Sequence, residues 1–79
     1  MEINERIEKD IKMFYQNLEK INKGELNEQE RKIVDLAELY AKDSKSWLDK
    51  KDVHTSFACI SYAHGLLDAI LKFKGKEDR

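Results

Sequence analysis

Apolar residues recur along this chain at intervals of three and four, the period of a helix, in three separate blocks. The first block is Ile3, Ile7, Ile11, Phe14, Leu18 and Ile21, one stripe of a helix over residues 3–22. Glu5 with Lys9, Glu8 with Lys12 and Glu19 with Lys23 stand four apart on its other faces, each pair worth about 0.2–0.5 kcal/mol. Gly24 follows as a left-handed cap. The second block opens after Asn27, an N-cap residue with Glu30 three places on, the pattern of a capping box. It predicts a helix over residues 28–50. Ile33, Leu36, Ala37, Tyr40, Ala41, Ser44, Trp47 and Leu48 point inward, and Asp35, Glu38, Lys42, Lys45 and Asp49 outward. The third block follows Asp52, a second N-cap, and runs over residues 53–73. The charged tail, 74–79, is expected to fray. No stretch alternates as a strand does. Connections of about four residues make successive helices antiparallel. The expected fold is all-α: one domain over residues 1–79, a three-helix up-down-up bundle.

The third helix is apolar on more than one side. Ala58, Tyr62, Gly65, Leu66, Ala69, Ile70 and Phe73 form one broad face, and Phe57, Ile60, Leu67 and Leu71 cluster opposite. Among those last four runs a polar line of Ser61, His64 and Asp68. A helix apolar nearly all round needs cover on more than one side. Either this helix is the central one, or its second face meets something else. His64 and Asp68 are one turn apart, close enough to hydrogen-bond. The line is a solvated edge, a satisfied bridge inside the bundle, or a recognition site. Asp43 borders the inner face of the second helix, placed either to pair with His64 or Tyr62 or to stand exposed.

Composition narrows the classes. In 79 residues, 15 Lys and Arg balance 16 Asp and Glu for a net charge of −1. That excludes the basic excess by which nucleic-acid binders displace counterions. No apolar run is long enough to span a membrane, and the acidic start lacks a signal peptide's apolar core. A lone cysteine, Cys59, excludes an internal disulfide and suggests a reducing, cytoplasmic setting. Charged residues make up 39% of the chain, as suits a thermophile's ion-pair networks or any mesophilic bundle.

Chemistry is thin. His54, Cys59 and His64 lie five apart each time, on different helix faces, and no CxxC or HExxH occurs, so no metal or other cofactor is expected. Cys59 sits among Phe57, Ala58 and Ile60, an apolar setting that suits packing better than nucleophilic attack. The glycines are isolated, so no phosphate loop is present. Mid-helix Gly65 suggests the close approach of another helix. None of the three arginines stands a few residues before a histidine in the manner of HEPN nucleases. The chain reads as a non-enzyme.

Residues 36–71, LAELYAKDSKSWLDKKDVHTSFACISYAHGLLDAIL, carry a resemblance. Tyr40, Asp43, Ser44, Asp52, Ala58, Tyr62, Ala63, Gly65, Leu67, Asp68 and Ala69 match, and residues 62–69 are the most specific part. The stretch resembles the archaeal family known as domain of unknown function 357. The resemblance implies a short archaeal protein with a helical-bundle fold and no established activity. That pattern usually carries a glycine just before the aspartate of the second connection, and here Lys51 stands there.

The leading expectation is a non-enzymatic interaction module. A face of the third helix would dock an unidentified protein or another copy, with Tyr62, His64, Asp68, Asp43 and Ser61 as the candidate recognition residues. The alternative is a small-molecule or nucleotide-binding domain, with Asp43, His64 and Asp68 converging between the second and third helices. A third reading is a structural subunit of a larger assembly.

Overall fold

The computed structural model describes residues 2–75. It is built of three helices, α1 (Ile3–Leu18), α2 (Glu28–Asp49) and α3 (Val53–Phe73), with a 3-10 turn at Lys23–Glu25 between the first two. There is no strand among the described residues. α3 is the central helix: it packs along α2, also against α1, and the two outer helices touch each other least. The Cα extents of 37 × 25 × 15 Å fit this flattened arrangement.

The N-caps form as their sequences dictate. Asn27 accepts the Glu30 amide at 2.8 Å and Glu30 accepts the Asn27 amide at 2.9 Å, completing the capping box. Asp52 accepts the amide of Thr55 at 3.1 Å and its hydroxyl at 2.8 Å. The second connection is tight. Asp52 N–H donates to the Trp47 carbonyl and Lys51 N–H to that of Leu48, a Schellman motif. The motif needs a left-handed residue, and Lys51 supplies it with φ 67° where a glycine would do so without strain.

Several expectations are corrected. α1 ends at Leu18 rather than at residue 22, and Gly24 is not a left-handed cap. The Asn22 side chain instead accepts the Gly24 amide at 3.0 Å and turns the chain into the 3-10 segment, lengthening the connection. Lys23 does not pair with Glu19. It reaches across to α2, to Glu38 at 3.0 Å and Asp35 at 3.7 Å, and the hydrogen bond to Glu38 raises its pKa. The core side of α2 is turned toward Val34, which is buried, and leaves Ile33, Leu36 and Trp47 exposed. Lys74 does not fray: it caps α3 and bonds Glu30 at 3.0 Å, tying the end of α3 to the start of α2. Gly75 then turns with φ 66°, and residues 76–79 of the expected frayed tail lie outside the described residues.

The core settles which face of α3 points inward. Ile60, Ala63, Leu67 and Leu71 pack with Ile7 and Phe14 of α1 and with Ala37 and Ala41 of α2. A second cluster joins Leu26, Val34 and Ile70. Small residues let α2 and α3 approach closely, and two buried serines fix their register. Ser44 Oγ donates to the Ser56 carbonyl at 2.8 Å, Ser56 Oγ to the Ser44 carbonyl at 2.6 Å, and the two oxygens lie 3.1 Å apart.

Candidate interaction surface

The outer face of α3 is the broad one only in part: Ala58, Tyr62, Gly65, Ala69 and Phe73 stay outside, but Ile70 is buried and Leu66 packs on the core, while Phe57 of the opposite cluster is exposed. Its exposed positions are His54, Phe57, Ala58, Ser61, Tyr62, Gly65, Ala69, Lys72 and Phe73. Among them Lys72 alone carries a full charge, in a chain of which 39% is charged. Phe73 is 82% exposed and Tyr62 50%. A Cβ added at Gly65 would meet nothing within 4 Å. The close approach expected at that glycine is thus not made inside the chain.

The five candidate residues divide between the two edges of this face. Ser61, His64 and Asp68 lie on the α1 side, lining a shallow groove of about 420 Å³ with Arg6, Asp10, Met13, Phe57 and Gly65. His64 and Asp68 do not bond. His64 Nε2 lies 2.7 Å from the Asp10 carbonyl, which can only accept, so that nitrogen carries the proton. The ring also meets Phe14 edge-on at 5.8 Å. His64 is thus a strut between α1 and α3. Asp68 is half-buried and makes no hydrogen bond or ion pair with the described residues. At the other end of the groove the Arg6 guanidinium lies 5.9 Å from the centre of the Phe57 ring, with no carboxylate partner among the described residues.

Tyr62 belongs to the α2 side, where its ring meets Tyr40 edge-on at 4.7 Å. Asp43 is half-buried on the same side, bonded to neither His64 nor Tyr62. Burial pushes the neighbouring Cys59 thiol up, and the negative charges of Asp43 and Asp52 push it further, away from thiolate chemistry. The three groups expected to converge between α2 and α3 do not: His64 and Asp68 face the α1 groove and Asp43 the opposite edge. Among the described residues no group of three His, Cys, Asp or Glu could hold a metal ion. No helix among them is long and apolar enough to cross a membrane.

The family model described as "Protein of unknown function (DUF357)" matches residues 9–74, from within α1 to the cap of α3. The chain belongs to the DUF357 family. The match reaches well beyond the stretch that carries the resemblance and takes in most of α1, including Asp10 and Met13 of the groove. No curated protein matches the sequence. The family has no assigned function, so the site's geometry carries the functional argument.

Sequence reasoning missed Arg6 and Asp10, and Phe57 was read as merely apolar. Arg6 and Asp10 are four apart and so share a side of α1, but only the rotation of α1 against α3 brings that side to the polar line.

Proposed function

We propose that this chain is a non-enzymatic interaction module whose docking surface is the outer face of α3. The observation that carries the reading is the near-absence of charge along that exposed face, which runs from His54 to Phe73 in a chain otherwise rich in Lys, Arg, Asp and Glu. Exposed apolar faces with polar edges mark protein contacts, and the centres of such contacts are depleted in charge and enriched in aromatic residues. Tyr62 and Phe73 would anchor the contact, and Arg6 and Asp68 would give it direction. Ser61 lies at the edge, and His64 holds α1 in place beneath it. The balanced charge of the chain argues for a protein partner over nucleic acid, and the single cysteine for a reducing compartment. A pocket for a small molecule or nucleotide finds less support, because Asp43 stands apart from His64 and Asp68 and the groove is open.

Photo-crosslinking in the native cell extract tests this. With benzoylphenylalanine in place of Tyr62, protein adducts are expected, whether with this chain or another. With the same group in place of Lys32, on the charged side of α2, none is expected. No adduct at position 62, or equal yields at both positions, would contradict the proposal.

A further inference from the structure

We infer that the occupant of this face is α3 of a second copy of the chain, lying antiparallel, with Tyr62 seated over Gly65 of the second copy and Arg6 paired with its Asp68. The inference rests on the outer face of α3 being a docking surface.

Six of the nine exposed positions of that face, those along its middle, are spaced symmetrically. His54, Ala58, Tyr62, Gly65, Ala69 and Phe73 are separated by four, four, three, four and four residues, the same read from either end. A two-fold axis level with Ala63 and His64 sets each position against a counterpart: His54 beside Phe73, Ala58 against Ala69, Tyr62 over Gly65. The largest side chain near the axis thus meets the residue that has none. This accounts for a glycine in mid-helix, where it weakens the helix relative to alanine and where the chain itself leaves the space above it empty. A two-fold contact uses the same patch on both subunits, so the patch must complement itself.

Charge picks the direction. Arg6 lies over Phe57 and Asp68 stands on the same edge of α3, about 16 Å further along at 1.5 Å per residue. They cannot meet within one chain. A two-fold axis perpendicular to an antiparallel helix pair keeps the α1 edges together and reverses them, so Arg6 of each copy meets Asp68 of the other, twice. A parallel pair, related by an axis along the helices, would set the α1 edge of each copy against the α2 edge of the other and leave Arg6 and Asp68 without each other. Lys72, near the end of the face, is the one other charge along it.

Sedimentation velocity on the full chain over rising concentration tests the inference. The natural chain is expected to dimerise. Arg6→Asp and Asp68→Arg, each alone, are expected to raise the dimer Kd at least about tenfold, the size of a close charge pair's coupling. An equimolar mixture of the two variants is expected to recover the natural Kd, because the mixed dimer restores both pairs. Gly65→Leu, which fills the seat of Tyr62 and whose Cβ meets nothing in its own chain, is expected to abolish the dimer with helical circular dichroism unchanged. A natural chain that stays monomeric at the highest attainable concentration overturns the inference. So does a dimer indifferent to both charge reversals, or a mixture no tighter than its components. Adducts of position 62 with a different protein, together with a monomer in the centrifuge, would leave the docking surface standing and remove this occupant.

Discussion

Lys51 holds a left-handed backbone conformation, φ 67°, because the Schellman turn between α2 and α3 demands it. For an L-residue with a side chain that conformation costs roughly 1–2 kcal/mol, partly offset by the greater freedom glycine has when unfolded. Lys51→Gly is therefore expected to stabilise the chain by about 0.5–1 kcal/mol in urea unfolding, and no gain would mean the turn is not strained. Gly65 is the converse case. Gly65→Ala is expected to gain about 1 kcal/mol of helix stability at concentrations where the chain is monomeric, since the added methyl meets nothing. If unfolding shows a loss instead, Gly65 is packed within its own chain. Ser56→Ala and Ser44→Ala are each expected to cost about 1 kcal/mol, with the double variant costing less than their sum. Additive losses would show that the two hydroxyls act independently. Lys51 was legible in the sequence as an anomaly, because it occupies a position where the resembled family carries glycine. Ser56 was not, because a serine in the first turn of a helix gives no sign of whether its hydroxyl meets solvent or a carbonyl of the neighbouring helix.

Helix beginnings were legible and one helix end was not, for a physical reason. An N-cap is a local contract between a side chain and amides two or three residues on, and Asn27, Glu30 and Asp52 fulfil it as their spacing implied. The end of α1 is decided instead by competition between continuing the helix and the bond from Gly24 N–H to the Asn22 side chain. The apolar stripe continues past Leu18 to Ile21, so periodicity alone overran it. The capping carboxylates also set a pH dependence. The Asn27 amide and then Lys74 hold Glu30 below its ordinary value of 4.5, and the Thr55 amide and hydroxyl hold Asp52 below 3.8. The unfolded chain takes up those protons at higher pH than the folded one. The stability they contribute is therefore complete above about pH 4.5 and is lost as the pH falls through these values toward the folded ones. Unfolding free energies at pH 7 and pH 3 are expected to differ less in the Glu30→Gln/Asp52→Asn variant than in the natural chain. An equal difference would show that the caps are not the groups that titrate.

At the scale of the molecule, three helices and their order followed from periodicity, but the facing of α3 did not. Both of its faces are apolar, and packing chose the one with Ile60, Ala63, Leu67 and Leu71, whose flanking Ser56 meets Ser44 of α2. The outer face was left with Tyr62, Gly65 and Phe73, and the polar line became an edge of it, completed by residues of α1 that the sequence of α3 could not announce. Engineered cysteines in a Cys59→Ser background read directly whether this outer face is the proposed interface between two antiparallel copies. A disulfide needs Cα atoms within roughly 7 Å. Ala58→Cys and Ala69→Cys lie against each other across the two-fold axis and are expected to crosslink under mild oxidation when the two proteins are mixed, and neither with itself. Self-crosslinking of either variant as fast as the mixed pair, or no crosslink in the mixture, would contradict the account.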